Sequence, residues 1–354
     1  MSKALIAMSG GIDSAVAALL SKKEGYECVG ATLKLVCSSV FGLPSENDEK
    51  IENDISDARK VAQRLDIPYQ VYNATEEFKN YVADYFVEAY ENGLTPNPCI
   101  VCNKYIKFGL LMNIAQDNDC DYVVTGHYAQ IEEKDGRFLL KKAVDETKDQ
   151  SYFLYTLSQY QLSHSKFPLG KMSKEDARRL AENNGFVNAR KRDSQDICFV
   201  PDGDYVNIIT HLSGRSYPEG NYVSSTGDVL GTHKGIIRYT VGQRKGLGIA
   251  LSKPMYVLEK NVIDNSVILG DNEDLFTDVC YAENFNWIMF DIPQGQIRGK
   301  VKIRYNHKPQ WATIIPLGID KVKIVFDEPQ RAIAKGQSAV AYDGEYVIGG
   351  GIIK

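Results

Sequence analysis

The chain has 354 residues, of which 44% are hydrophobic, 25% charged and 10% aromatic, with a net charge of −5. Those values exclude collagenous, disordered and low-complexity chains and fit two or three domains, each able to bury a core. No apolar run nears the roughly 20 residues that span a bilayer, and the opening MSKALIAMSGG turns Gly-rich too soon for a signal peptide, so a soluble cytoplasmic protein without a membrane partner is expected.

The first half alternates strand and helix. Residues 4–8 form a short apolar strand, a Gly turn follows, and residues 15–22 supply small apolar side chains for a closely packed helix. Residues 28–35 read as a second strand. Residues 55–65 read as a helix with Ala58, Val61, Ala62 and Leu65 on one face and Pro68 just beyond its end. A strand at 69–72, a helix at 76–92 closed by Gly93, a helix at 105–114 and a strand at 122–124 complete the pattern. Such alternation implies right-handed crossovers and a parallel, helix-covered sheet. Ser173 opens one more helix, capped by Asp176 and ended by Gly185. After about residue 205, Gly, Pro and Tyr become frequent. Short alternating runs at 255–258, 266–269, 301–305, 312–315, 321–325 and 339–342 have the spacing of a small barrel or sandwich. The expected class is α/β: a parallel-sheet domain over 1–205, a small middle domain over 206–274 and a C-terminal β-barrel over 275–354.

Charge is uneven along the chain. Residues 46–91 are net −7, whereas 134–192 are net +6 and 233–260 net +5. Basic stretches on an acidic protein suit a polyanion bound at one place, or else two solvated faces. Seven cysteines at irregular spacing are no disulfide scaffold. Cys28, Cys37, Cys120 and Cys280 read as small buried hydrophobes; Cys99, Cys102 and Cys198 sit among polar and Pro-rich neighbours.

Ser9-Gly10-Gly11-Ile12-Asp13-Ser14 follows the first strand directly and opens a helix. That turn aims backbone N–H groups and a helix N-terminus at one spot, which favours a phosphate, with Ser9 and Ser14 hydroxyls as further donors. Asp13 suits such a site only if a cation such as Mg²⁺ accompanies it. The loop is neither a Walker A motif nor a dinucleotide GxGxxG. The Gly246-Leu247-Gly248 and Gly349-Gly350-Gly351 runs lack that context and read as backbone turns. In Thr95-Pro96-Asn97-Pro98-Cys99-Ile100-Val101-Cys102-Asn103-Lys104 two prolines stiffen a loop that presents a thiol. A helix start at Cys102 and the nearby Lys104 and Lys107 would lower that thiol's pKa. No second CxxC exists to complete a zinc site. Cys198 lies in the DSQDICF segment, just after Arg190-Lys191-Arg192.

The SGGIDS loop is the signature of the PP-loop ATP pyrophosphatases, whose fold is adenine nucleotide alpha hydrolase-like. Taken with TPNPCIVCNKYIKFG, TGHYA at 125–129, KDQSYFL at 148–154, DSQDICF and YTVGQRKGLGI at 239–249, the chain resembles end to end the tRNA-specific 2-thiouridylase (MnmA/TrmU) family. The resemblance implies a sulfurtransferase that adenylates the C2 oxygen of the wobble uridine with ATP and Mg²⁺ in tRNAs of the Lys, Glu and Gln type. Sulfur would come from a persulfide donor such as a cysteine desulfurase or a sulfur-relay protein. Ala7, Met8, Ser9, Gly10, Gly11, Ile12, Asp13, Ser14, Leu33 and Gly126 match positions that hold ATP. Cys102 matches the nucleophile and Cys198 the persulfide-bearing cysteine, implying a transient Cys102–Cys198 disulfide. Pro96, Asn97 and Cys99 lie in the loop that meets the base, and His127, Lys148, Asp149, Gln150, Arg304, Tyr305 and Gln337 match tRNA-contacting positions. In the second basic stretch, Arg238, Arg244 and Lys245 are expected to meet the RNA backbone.

One departure stands out: many members carry Asp where this chain has Cys99. Cys99, Cys102 and Cys198 therefore suit two alternatives, persulfide chemistry on the last two or a [4Fe–4S] cluster held by all three, as in related thiolases of this fold. Another PP-loop adenylating ligase would need no cysteine pair, and an RNA-binding protein without activity would need no intact SGGIDS loop.

Overall fold

The computed structural model describes residues 1–189, 191 and 197–354; the 193–196 part of the DSQDICF motif and the flanking Arg190 and Arg192 lie outside the described residues. Ala4, Leu5 and Ile6 are all fully buried in β1 (Lys3–Ala7), because a strand covered on both faces needs apolar side chains in succession. It is followed by β2 (Glu27–Lys34), β3 (Tyr69–Asn73) and β4 (Tyr122–Val124), a hairpin of β5 (Ala129–Lys134) and β6 (Arg137–Lys142), and the short β7 (Ser165–Lys166). The expected parallel sheet is present, in the order β3-β2-β1-β4-β7. Its last strand is two polar residues, too short to leave a pattern in the sequence.

Ala15, Val16, Ala17 and Ala18 of the helix Ile12–Lys23 are buried, small enough to seat it closely on the sheet. The helix Lys174–Asn183 starts as expected, with the Ser173 hydroxyl accepting from the Asp176 N–H. The helices expected at 76–92 and 105–114 are instead interrupted by π-helical turns at Lys79–Ala83 and Asn103–Leu110. Each such turn takes in an extra residue and rotates the rest of the helix about its axis, a feature found mostly near functional sites.

A second sheet contains β8 (Gly220–Ser224), β9 (Val229–His233), β10 (Tyr256–Asn261) and β11 (Ser266–Gly270), ordered β10-β11-β8-β9. Tyr222, Val257, Val267 and Leu269 from it share one apolar cluster with Phe41, Phe78, Phe86, Cys102 and Phe199. The third sheet is a closed antiparallel barrel of β12 (Phe276–Trp287), β13 (Ile297–Lys302), β14 (Gln310–Pro316), β15 (Val322–Arg331), β16 (Ser338–Asp343) and β17 (Tyr346–Ile353). Its order is β12-β15-β14-β13-β16-β17, and β12 pairs with β17 to close it. The β5–β6 hairpin from the first half attaches to β17, and Tyr152, Leu154 and Tyr155 share a cluster with Val340, Tyr342 and Val347. No helix among the described residues is long and apolar enough to cross a membrane.

The Gly349-Gly350-Gly351 run is not a turn but the middle of β17, where the barrel closes. A Cβ there would lie 2.3 Å from the Asn286 carbonyl oxygen, 2.7 Å from the Tyr155 ring or 2.8 Å from the Glu283 carbonyl oxygen, respectively. Glycine is required by close approach. Gly349→Ala is therefore expected to lower the thermal unfolding midpoint, with overpacking costing about 1–3 kcal/mol; an unchanged midpoint in a melting scan would contradict the tight closure.

Candidate active site

Along the parallel sheet the chain order reverses between β1 and β4, with β2 and β3 on one side and β7 on the other. Crossovers leave that point in opposite directions, so a crevice opens beyond the carboxyl ends of the two strands. The SGGIDS loop leaves β1 there and Gly126 leaves β4. A Cβ on Gly126 would lie 2.7 Å from the Asp13 carbonyl carbon, so the two loops touch. Gly10 adopts φ +78, and a Cβ there would lie 2.2 Å from the Asp54 carbonyl oxygen. Gly11 caps the helix Ile12–Lys23 without a side chain, leaving first-turn N–H groups for a ligand. Ala7 ends β1, Met8 donates its N–H to the Ala31 carbonyl at 2.8 Å, buried Ile12 anchors the helix start, and half-buried Leu33 lies near the end of β2.

Asp13 already has a cationic partner within the chain. Lys174 Nζ lies 2.7 and 2.8 Å from the two Asp13 carboxylate oxygens, and the Tyr128 hydroxyl donates to one of them at 2.9 Å. The carboxylate read as a Mg²⁺ partner is thus engaged by a buried ammonium. The Ser14 hydroxyl donates to the Gly11 carbonyl at 2.9 Å and accepts from the Ser9 N–H at 3.2 Å, bracing the loop. The Asn188 amide donates to the Gly10 carbonyl at 3.0 Å, and Lys191 Nζ joins Asp54 at 2.5 Å and Asp57 at 3.0 Å. Asn188 and Lys191 are therefore tied to the phosphate loop and to the helix Glu46–Arg64.

The helix Pro98–Cys102 begins at Asn97, whose side chain accepts from the Cys99 N–H at 3.2 Å. Cys99, not Cys102, occupies its first turn. Cys102 is the last residue before a π turn and lies in an apolar cluster with Phe199 and Val200. Burial pushes the Cys102 thiol up to about 11, with Cys99 adding to the rise and Lys107 opposing it. That reverses the lowering expected from a helix start, because loss of water outweighs one lysine. Burial, then the charges of Cys102 and Cys99, push Cys198 up against Lys107; burial also pushes up Cys99 against Lys107. The three thiols and Lys107 thus share one electrostatic field. Cys99 and Cys198 have solvent-exposed surface, and none of the seven cysteines is disulfide-bonded. Phe199 fixes the Cys198 segment, its ring 5.9, 5.5 and 5.3 Å from those of Phe41, Phe78 and Phe86. Among the described residues no three His, Cys, Asp or Glu side chains gather closely enough to hold a metal ion.

Cys28 and Cys280 are buried as expected and Cys120 is half-buried. Cys37 is half-buried too, but hydrogen bonding from the Ser39 hydroxyl and backbone holds its thiol below the ordinary range.

His127 is buried between Phe108 and Phe167, with Nδ1 2.7 Å from the Thr125 hydroxyl. Burial, and then Lys107, holds it well below the usual histidine range and hence neutral. Lys107 therefore acts both on the thiols and on the residue next to Gly126. Buried Asp149 accepts from the Ala143 N–H, the Ser151 N–H and the Ser151 hydroxyl, while Gln150 accepts from the Tyr128 N–H at 3.0 Å. These two shape the turn that presents Lys148. The Tyr305 ring packs tilted against Phe153, centroids 4.4 Å apart, under Lys302 Nζ at 5.2 Å, and feels the charges of Asp149 and Lys148. The fold thus joins 148–150 to 304–305 across the chain. Arg304 donates to the carbonyls of Arg331 and Ala332 at 3.3 and 3.4 Å. Gln337 donates to the Thr95 carbonyl at 2.9 Å, so the barrel braces the loop of buried Pro96, Asn97 and Cys99. Arg238, at the end of the 3-10 helix Ile236–Arg238, and Arg244 and Lys245, on the loop that follows, are exposed in the middle domain.

Sequence reasoning missed Lys174, Tyr128 and Lys302, and placed Lys191 only in the basic run before DSQDICF. Tyr128 lies inside the TGHYA motif; the lysines carry no local signal, since each acts on a partner distant in sequence. The raised Cys102 pKa has a direct consequence. Below about 11 its thiolate fraction falls about tenfold per pH unit. Alkylation of Cys102 by iodoacetamide, followed by mass spectrometry in the ligand-free enzyme, is expected to accelerate about tenfold per unit from pH 8 to 10. A plateau near pH 8.5 would contradict that setting.

Three family models match in succession: a tRNA methyl transferase HUP domain over residues 2–202, a PRC-barrel domain of that family over 208–271 and an aminomethyltransferase beta-barrel domain over 277–353. Curated relatives named tRNA-specific 2-thiouridylase MnmA are similar along their whole length. That of Clostridioides difficile (strain 630) is 49% identical over 99% of this chain and 98% of its own. That of Clostridium acetobutylicum is 46% identical over 99% of both chains, and a second form from Clostridium botulinum (strain Loch Maree / Type A3) is 47% identical over 100% and 99%. A solved 4-thiouridine synthetase–RNA complex with bound ATP is 14% identical at a TM-score of 0.39, covering 60% of this chain and 50% of that one. By full-length identity to these relatives, the chain belongs to the tRNA-specific 2-thiouridylase family.

Proposed function

We propose that this chain is a tRNA uridine 2-sulfurtransferase: it adenylates the C2 oxygen of the wobble uridine with ATP and replaces that oxygen with sulfur carried on Cys198. The observation that carries the reading is full-length identity of 46–49% to relatives named tRNA-specific 2-thiouridylase, on a fold that places the SGGIDS loop at the point where the strand order reverses and packs Phe199, next to Cys198, in one apolar cluster with Cys102.

The chemistry is set by what each bond requires. The uridine C2 oxygen is a poor leaving group. Attack of that oxygen on the ATP α-phosphorus releases pyrophosphate and leaves the base as an O-adenylate, from which AMP departs readily. The N–H groups of the SGGIDS loop suit the phosphates, and Mg²⁺ enters on ATP itself. A persulfide on Cys198 carries the incoming sulfur. Cys102 thiolate attacks the inner sulfur, forming a Cys102–Cys198 disulfide and expelling hydrosulfide, which adds at C2 as AMP leaves. The cysteine pair ends oxidised by two electrons, so a thiol reductant must restore it before the next turnover. On this reading residues 1–205 do the chemistry, while 206–274 and 275–354 hold the RNA, with Lys148, Arg304 and Tyr305 on one shared surface. The tRNAs are those of the Lys, Glu and Gln type in the cytoplasm, and the sulfur comes from a cysteine desulfurase or a sulfur-relay protein. The target base must leave its stack to reach the thiols.

Cys198→Ser is expected to cut 2-thiouridine formation at least about 10³-fold, while tRNA binding in a filter assay and ATP binding by calorimetry stay as in the parent. Full thiolation by that variant would remove the persulfide role from Cys198 and favour another adenylating chemistry.

A further inference from the structure

Two large aromatic side chains stand open beside the thiol site. Tyr81 is 52% and Tyr105 42% exposed, yet their rings are stacked on each other, 5.2 Å between centroids and 12° from parallel. Lys104 Nζ lies 5.1 Å from the Tyr105 ring centroid. Their place in the fold is specific. Tyr105 lies three residues after Cys102, on the π turn Asn103–Leu110 that also carries Lys107. Tyr81 lies on the π turn Lys79–Ala83, three residues after Phe78, whose ring packs 5.5 Å from that of Phe199, next to Cys198. The two tyrosines thus come from the element bearing one thiol and the element anchoring the other.

We infer that Tyr81, Tyr105 and Lys104 form a stacking platform for an unpaired nucleobase of the RNA, next to the base that enters the thiol site. The inference rests on the proposed tRNA thiolation. A pre-stacked pair of rings offers planar faces on which any base can extend the stack, and exposed aromatic side chains beside cations are how proteins hold single-stranded nucleotides. Lys104 supplies the positive charge a flanking phosphate needs. The neighbouring carboxylate of Asp84 is already paired with Lys79 at 2.8 Å, so it does not oppose that phosphate uncompensated. A base flipped out of an anticodon loop leaves its neighbour unstacked, and a ring beside the crevice replaces the lost partner.

The test uses the full-length enzyme and an anticodon stem-loop carrying 2-aminopurine beside the target uridine. The parent protein should change the 2-aminopurine emission on binding. Joint Tyr81→Leu and Tyr105→Leu replacement should abolish that change and weaken binding about tenfold or more, raising KM with little effect on kcat, whereas joint replacement by Phe should stay within about twofold of the parent. Leucine variants that bind and report like the parent would overturn the platform while leaving thiolation standing. Leucine variants with normal RNA binding but slowed sulfur loading of Cys198 would assign the surface to the sulfur-donating protein and overturn it equally. A parent enzyme that binds the stem-loop no better than a hairpin with a scrambled loop, and makes no 2-thiouridine, would bring down both the platform and the proposed function.

Discussion

The structure turns on holding two cysteines, 96 positions apart in the chain, in one partly dry site. Phe199 anchors the second against Phe41, Phe78 and Phe86, and the same cluster buries Cys102 and extends into the middle sheet. Burial then sets the chemistry. Burial of Cys102 resists its ionisation and Cys99 adds to that resistance, while the Cys198 thiol, on a residue with exposed surface, is pushed up by its own desolvation and by Cys102 and Cys99. A resting site of this kind holds its thiols protonated, which protects them from stray oxidation and alkylation. Lys107 is the cation that works against this for all three thiols. A reaction that begins by placing an acidic persulfide on Cys198 does not depend on resting thiolate there.

The phosphate loop is governed by a second constraint, close contact. Gly10 against Asp54 and Gly126 against Asp13 leave no room for a Cβ, so the loop, the helix Glu46–Arg64 and the turn after β4 hold one another in place. Asp13 is neutralised within the protein by Lys174. The Lys191 bridge to Asp54 and Asp57 extends the same rigid group toward the Cys198 segment.

Much of this was legible in the sequence because it is local. The buried run of β1, the glycine turn, the small residues of Ile12–Lys23 and the Ser173 cap all arise from neighbours in the chain. The features that escaped depend on distant contacts. The two polar residues of β7 become a strand only because β4 pairs with them. Gly349, Gly350 and Gly351 are a strand because β12 passes too close for side chains. The Cys102 thiol was expected to be acidic from Lys104 and Lys107, yet the packing of Phe199 and Val200 makes it the reverse. Lys174 and Asp13 give no sign of each other across 161 positions. The residues expected from the sequence to meet RNA divide in the same way: Lys148, Tyr305 and the middle-domain arginines reach the surface, while His127, Asp149 and Pro96 lie within.

The central claim, that Cys102 and Cys198 act as a pair on one sulfur atom, is tested most directly in a single turnover. Enzyme loaded with persulfide on Cys198 would be mixed with ATP and substrate tRNA without reductant, then quenched and mapped by non-reducing peptide mass spectrometry. The account predicts one Cys102–Cys198 disulfide for each 2-thiouridine and each AMP formed, and no second turnover. Repeated turnover without reductant, or thiolation that leaves both cysteines as free thiols, would contradict it.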